Sequence, residues 1–508
     1  MQRDRMLLNI QSGFKEEFPG VFKSGFRSTA LEIIYCGLFS PYPRVSILVW
    51  KNKIVQKSRN MNLILALLAA VAGPALATLE LVPGATWTAS NGEHLQAHGA
   101  GFIEEDGTYY MIGEDKTNGT NFLNINCYSS SDLVQWKYVG ALLSQVDSGD
   151  LGPGRVVERP KVIYNDKTKE YVLWAHIDSS NYGEAKVGVA TGNSYNVLDY
   201  LGSFRPMGNV SRDMTLFKDD DGSGYLISED RPTGLHIYKL ADDYHNITSE
   251  TYLFADPGQI EAPALMKRDG LYYLFGSRLT GWSDNDNVYT TSKSLDSGWA
   301  DWKTFATVGS KTYSSQTTYV LSIDESRAMY MGDRWVSDDL MTSTYIWLPL
   351  NISGKDVTMN WYDQWVPNLT SESGFQTAPS NTTIQGESGK YSGGAKNISC
   401  SGCSGGHAAG YIGGPDQGSI MLSGIEVKDS AAITITFQYR NGDSGTRYAN
   451  VTFNDSPPQK VAFLSTGGNV KLSVISTQLK AGHDNTIVIE GYDTGYGPDI
   501  DVVEIPLE

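Results

Sequence analysis

The chain has 508 residues, of which 40% are hydrophobic, 19% charged and 11% aromatic, with 29 Tyr, 11 Trp, 53 Gly and only 4 Cys. That composition excludes a disordered, collagenous or disulfide-framed miniature protein, and the length exceeds what a single hydrophobic core organises. The formal charge is −17; residues 1–60 hold ten Lys/Arg against four Asp/Glu, a balance of +6, so the remaining 448 carry −23. So acidic a body repels phosphate backbones, which argues against nucleic acid as a partner.

In chain order, the basic segment 1–60 shows neither sustained periodicity nor helix caps. Met61 to Ala77 then reads MNLILALLAAVAGPALA, an apolar run broken at Gly73-Pro74 and ending on Ala75-Leu76-Ala77. That is the pattern of a secretory signal peptide cleaved after Ala77, with 1–60 a spurious or processed extension. No apolar run reaches the roughly 18 residues that cross a bilayer, so no membrane anchor is expected. Nine N-x-Ser/Thr sequons, at Asn118, Asn209, Asn246, Asn351, Asn368, Asn381, Asn397, Asn450 and Asn454, suit an extracellular glycoprotein. In an oxidising compartment Cys400 and Cys403 could close a small local disulfide, leaving Cys127 unpaired and buried.

From residue 78 to about 370 one phrase recurs: a turn, an aromatic-rich apolar strand, then a polar residue. It reads GTYYMIGEDK from Gly107, KEYVLWAHID from Lys169, GSGYLISED from Gly222, GLYYLFGSR from Gly270 and RAMYMGDRW from Arg327. Five units of about four strands predict a five-bladed β-propeller, because one such sheet cannot bury both faces alone. A turn-rich connector at 371–383 follows, and alternating strands between Gly, Asn and Asp turns over 384–508 predict a separate β-sandwich. The expected fold is therefore all-β in both domains.

In a propeller, polar residues at the ends of the innermost strands converge on one mouth of the channel. The acids so placed are Glu114, Glu158, Asp213, Glu229 and Glu261, each in or beside an apolar stretch where an unpaired carboxylate is costly. Their alternative reading, acids paired with Arg for structure, stays open for each one.

Val157-Glu158-Arg159-Pro160-Lys161, Ser211-Arg212-Asp213, Ile260-Glu261-Ala262-Pro263, Gly281-Trp282 and Gly332-Asp333-Arg334-Trp335 resemble glycoside hydrolase family 43. QAHGAG at Gln96 to Gly101, GEDK at Gly113 to Lys116, SSNYG at Ser179 to Gly183 and YSSQ at Tyr313 to Gln316 resemble its fungal exo-β-1,3-galactanase branch. The resemblance implies inverting hydrolysis, which needs a proton donor and a base separated by a water-sized gap of roughly 6.5–9.5 Å. It assigns Glu261 as general acid and Asp213 as the carboxylate that tunes it. Where most of the family carries a first-blade Asp, this chain reads Gln96-Ala97-His98-Gly99. In the galactanase branch a Gln matching Gln316 handles the attacking water and a Glu matching Glu158 assists or holds the sugar. An amide is a very weak base, so Gln316 needs either an unusual tautomer or a water-positioning role. Glu114, Tyr182, Glu229, Thr280 and Trp282 complete the expected sugar subsites.

The segment from about Thr383 to Glu508 resembles carbohydrate-binding module family 35. That resemblance implies a structural calcium held by Gln385, Glu387 and Asp501, and sugar-binding loops carrying Tyr411, Asn441, Arg447, Tyr496 and Asp499. The expected protein is a secreted, monomeric exo-glycosidase acting on the β-1,3-galactan of arabinogalactan polysaccharide, with no cofactor needed for catalysis. Another family 43 activity, arabinofuranosidase or β-xylosidase, and a non-catalytic galactan-binding protein remain as alternatives.

Overall fold

The computed structural model describes residues 78–256, 258–369 and 374–507. Segment 1–60 with Cys36, the signal-like run 61–77 and residues 371–373 of the connector lie outside the described residues. Met1–Val71 and Ala72–Glu508 form separate units, and only the second is treated below. It is all-β: helix among the described residues is confined to single turns, and no helix there is long and apolar enough to cross a membrane.

Five four-stranded antiparallel sheets follow one another in chain order. Their first strands are His98–Glu105, Arg155–Asn165, Met214–Lys218, Ile260–Arg268 and Gln316–Ser322. Each first strand packs beside that of the next sheet, and the fifth beside the first. The aromatic-rich second strands supply the filling between sheets: Tyr109 and Met111, Leu173 and Trp174, Leu226 and Ile227, Leu274 and Phe275, Tyr330 and Met331 are all buried. Burying such a side chain is worth about 1.5–3 kcal/mol, so the repeated phrase is where the stability of each sheet is concentrated.

The C-terminal region forms a seven-stranded and a five-stranded sheet that share one apolar cluster, including Ile420, Phe437, Phe453, Ile489 and Val503. Cys400 and Cys403 are disulfide-bonded, and Cys127 is buried and unpaired. One strand of the larger sheet comes from far away in the sequence. Thr86–Trp87 runs parallel to Lys471–Gln478, and Thr78 bridges to Ile433. Glu93 adds ion-pair and hydrogen-bond contacts to Lys460 and Tyr448. The first residues of the described chain thus tie the five-sheet region to the C-terminal sheets, although the sequence pattern groups them with the former.

Candidate active site

The same ladder position in each of the five sheets carries a polar residue. On the first strands, or in the case of Asp213 directly before one, these are His98, Glu158, Asp213, Glu261 and Gln316. Their cross-strand neighbours are Glu114, His176, Glu229, Ser277 and Asp333, paired in register in four sheets and by Glu229 N–H to the Asp213 carbonyl, 2.9 Å, in the third. Six of these ten polar groups, Glu114, Glu158, His176, Asp213, Glu261 and Gln316, line a cavity of about 420 Å³ at one end of the first strands.

A shared backbone device aims three of them. After His98, Glu158 and Glu261 the register slips, and the following residue has positive φ: Gly99 at 58°, Arg159 at 55° and Ala262 at 52°. Bulges of this kind bend a strand and re-aim a side chain. Gly99 is needed twice over, since a Cβ there would also lie 2.1 Å from Glu114 Oε1. The first-sheet position is thus held by a His and a Gly, where the second and fourth sheets present carboxylates. Asp333 fills the gap from the fifth sheet, accepting from His98 Nδ1 at 3.0 Å and from Gly99 N–H at 2.9 Å.

The fifth sheet aims Gln316 differently. Lys311, Thr312, Tyr313 and Ser314 form a left-handed turn with φ of 50–58°. Four consecutive non-glycine residues in that region cost on the order of 1–2 kcal/mol each. Such strain persists only where surrounding contacts over-determine it. Here Asp286 accepts from Gly309 N–H and Lys311 N–H, Arg334 Nη2 donates to the Tyr313 carbonyl, and Tyr313 Oη donates to the Met359 carbonyl.

Gln316 itself is bonded on both sides. Its Oε1 accepts from Arg159 Nη2 and, at 2.9 Å, from Trp335 Nε1. Its Nε2 donates to Glu261 Oε1 at 3.0 Å and to Ser277 Oγ at 3.1 Å. Arg159 and Trp335 can only donate, so the amide orientation is unambiguous and the ordinary tautomer is favoured: a proton on Oε1 would face two donors.

The acids of the ring sit in opposed electrostatic environments. Glu261 is 6% exposed, and burial, reinforced by the charges of Asp213 and Glu229, raises its carboxyl to about 8. Glu158 goes the other way. Burial opposes its ionisation, but the Lys116 ammonium at 3.1 Å and His176 hold it well below the usual carboxylate range. Tyr182 Oη also donates to Glu158 Oε1 at 3.0 Å. Asp213 pairs with Arg159 at 3.1 Å. Glu114 is buried, accepts from Arg159 N–H at 2.7 Å and pairs with Lys116; burial and the nearby Glu158 raise its carboxyl. His176 is held protonated to about 9, because Asp178 and Glu158 outweigh its burial. Two carboxyls of one cavity pushed to opposite sides of neutrality are what acid–base chemistry requires.

Of the expected residues, Glu114, Glu158, Tyr182, Asp213, Glu261, Trp282 and Gln316 line the cavity together. Trp282 is 51% exposed and stands edge-on to Trp335. Glu229 lies behind the wall, accepting from Arg231 Nε at 2.8 Å, with burial and Asp213 raising its carboxyl. Thr280 is exposed and outside the lining; its hydroxyl donates to the Ser283 carbonyl at 2.5 Å. The lining also includes the cations Lys116, Arg159, Arg212 and Arg231, with His176, Asn181 and Trp335, to which the sequence alone assigns no role. The signal that could have found them is the pairing rule itself, since several buried acids demand nearby cations.

At the C-terminal sheets, Tyr411 and Tyr496 are 48% and 42% exposed and meet edge to face, while Arg447 pairs with Asp443. Burial raises Asp499. Asn441 is fully buried and its amide shapes the loop: Nδ2 donates to the Gly445 and Phe463 carbonyls, and Oδ1 accepts from Asp443 N–H. Gln385 Oε1 and Glu387 Oε2 are buried oxygens without a hydrogen-bond partner, and the buried Asp501 accepts from Ser404 N–H, its carboxyl raised by burial and further by Glu387. This hard-oxygen set fits a calcium ion.

A profile described as glycosyl hydrolases family 43 matches residues 98–322. The solved structure of an exo-β-1,3-galactanase from Phanerochaete chrysosporium, bound to β-1,3-galactotriose, is 34% identical, with a TM-score of 0.59 over 84% of this chain and 100% of that one. An exo-β-1,3-galactanase from Clostridium thermocellum is 28% identical, with a TM-score of 0.57 over 78% and 100%. A xylan 1,3-β-xylosidase from Vibrio is 25% identical over 211 residues; the alignment spans 37% of this chain and 38% of that curated relative.

Proposed function

The chain belongs to glycosyl hydrolase family 43, and on that premise we propose that it is an exo-acting enzyme that hydrolyses β-1,3-galactosidic bonds with inversion. The observation that carries the reading is Glu261, whose carboxyl is raised to about 8 although Arg231 stands 3.8 Å away, whereas Glu114, Glu158 and Asp213 pair with cations at 3.1 Å or less. A group of that kind is protonated at neutral pH and can give its proton to a leaving oxygen. As the bond breaks, water attacks the anomeric carbon from the opposite face. Gln316, an ordinary amide anchored by Arg159 and Trp335, orients that water through Nε2, exchanging for it one of the partners Glu261 and Ser277 to which Nε2 is bonded here. The water's proton passes to Glu158, an ionised carboxylate of the ring. Asp213 keeps Glu261 raised by its charge, while Glu114 and Tyr182 hold sugar hydroxyls and Trp282 offers an apolar face.

The substrate we assign is the β-1,3-galactan backbone of arabinogalactan. The similar Phanerochaete enzyme was solved with β-1,3-galactotriose, which supports this choice over a xyloside or arabinoside. The cyclic packing of five first strands supports a five-bladed propeller, and the shared core of the two C-terminal sheets supports a β-sandwich carbohydrate-binding module. In that module Gln385, Glu387 and Asp501 would hold a structural calcium, and Tyr411, Tyr496, Arg447 and Asp499 would meet polysaccharide. Secretion as a monomer completes the proposal. Galactose release from linear β-1,3-galactan, measured beside arabinan and xylan, tests it: galactose from the first substrate alone is expected. Pentose release without galactose would transfer the chain to another activity of the family, and binding without turnover would make it a lectin-like protein.

A further inference from the structure

We propose that Asn287 is a positioning residue for the hydrolytic reaction, its side chain locking the two peptide units that flank Gln316 and so fixing how that amide meets the attacking water. The inference rests on the reading of Gln316 as the residue that orients water.

Asn287 is 1% exposed and does not line the cavity. Its Nδ2 donates to the Ser315 carbonyl at 3.2 Å, on the N-terminal side of Gln316. Its Oδ1 accepts from Thr317 N–H and from Thr317 Oγ1, both at 2.8 Å, on the C-terminal side. Its backbone N–H donates to Thr312 Oγ1 at 2.7 Å, inside the left-handed turn. One side chain thus brackets Gln316 and one peptide unit tethers the turn that leads into it.

The need for such a bracket follows from the fold. Glu158 and Glu261 are aimed by a positive-φ residue placed directly after them. Gln316 has no such residue after it; its register slip comes later, between Thr317 and Tyr319. The aim of Gln316 must therefore be set from outside its own strand. Asn287 contacts both flanking peptides through one planar amide, which carries the donor and the acceptor the two sides require. Misplacing a reactive contact by about 1 Å is enough to lower a rate about 100-fold.

The test uses the full chain with Asn287→Ala, Asn287→Asp, Gln316→Ala and the Asn287→Ala/Gln316→Ala pair. kcat and KM are measured on β-1,3-galactobiose and on an aryl β-galactoside, with Tm recorded for each variant. Asn287→Ala is expected to lower kcat about 10- to 100-fold on both substrates alike, with KM nearly unchanged. The double variant should be no slower than Gln316→Ala, because both changes remove one function. Asn287→Asp keeps the acceptor and regains the donor only when its carboxyl is protonated, so its kcat relative to the unmodified protein should rise as pH falls. Losses that multiply in the double variant, or a folded Asn287→Ala with kcat within twofold of normal, would overturn the proposal. Should Asn287→Ala not fold, a flat relative pH profile for Asn287→Asp would overturn it equally. Near-normal kcat in Gln316→Ala would instead bring down the underlying reading of Gln316.

Discussion

Replacing Glu261 by Gln removes a titratable proton while keeping the shape of the side chain, and the structure gives the change two separable consequences. The folded protein raises this carboxyl from its ordinary 4.5 to about 8, chiefly by burial. Between those values the native carboxyl is protonated while that of the unfolded chain is ionised, so the folded state binds more protons and stability falls as pH rises through the window. At 1.36 kcal/mol per pH unit over the interval from 4.5 to 7, the cost at pH 7 is about 3 kcal/mol. Glu261→Gln abolishes that cost, so it should raise Tm by several degrees at pH 7 and leave it unchanged at pH 4. The introduced amide oxygen can still accept from Gln316 Nε2, so the wall of the cavity keeps its hydrogen bond. Catalysis moves the opposite way. Loss of the proton donor should lower kcat by about 100-fold or more on β-1,3-galactobiose and much less on an aryl galactoside, whose leaving group needs little protonation. Thermal unfolding across pH 4–8, run beside initial rates on both substrates, measures both effects. Parallel Tm curves for variant and parent would refute the buried-proton argument, and equal losses on the two substrates would refute the assignment of Glu261 as acid.

Asp213→Asn removes a charge that raises Glu261 and frees Arg159, which lowers it, so the alkaline limb of kcat/KM should move down from about 8 by roughly one pH unit; an unmoved limb contradicts the tuning role. Glu80, buried with both carboxylate oxygens lacking a hydrogen-bond partner, is raised to about 8 by burial and by Glu504. By the same sign, Glu80→Gln should raise Tm at pH 7 but not at pH 4, and a loss of stability at pH 7 would show that the ionised group has a partner. Chelation with EDTA should lower Tm, calcium should restore it, and Asp501→Asn should abolish the response; a chelator-insensitive Tm would remove calcium from the C-terminal sheets. In protein made through a eukaryotic secretory route, glycopeptide mapping should find glycans at the exposed Asn118, Asn246, Asn351 and Asn397. Asn209, Asn381, Asn450 and Asn454 should be bare, because their amide nitrogens already donate to Tyr238, to Gln364 and Glu504, to Gly491 and to Asn485.

The all-β character was legible in the residues because it is a local property. Turn residues and period-two apolar strands recur in the chain whatever else surrounds them, and the five phrases from Gly107 to Arg327 contain the five second strands of the structure except for Ser179, the last residue of the second of them. Most of the acids of the cavity were legible for a related reason: carboxylates set in apolar strands are costly enough to be noticed. What each acid would do was not, because a pKa depends on neighbours distant in sequence. Glu158 and Glu261 look alike in the chain, yet Lys116 and His176 depress one while burial beside Asp213 raises the other. The clamp of Asn287 on Gln316 lay beyond sequence reading altogether, since an amide 29 residues upstream becomes a neighbour only when the fourth and fifth sheets pack. The same holds for Thr86–Trp87, whose partner strand lies nearly 400 residues on. Local propensity writes strands into a sequence; which strand becomes whose neighbour, and therefore which charge sets which pKa, is decided only when the chain closes on itself.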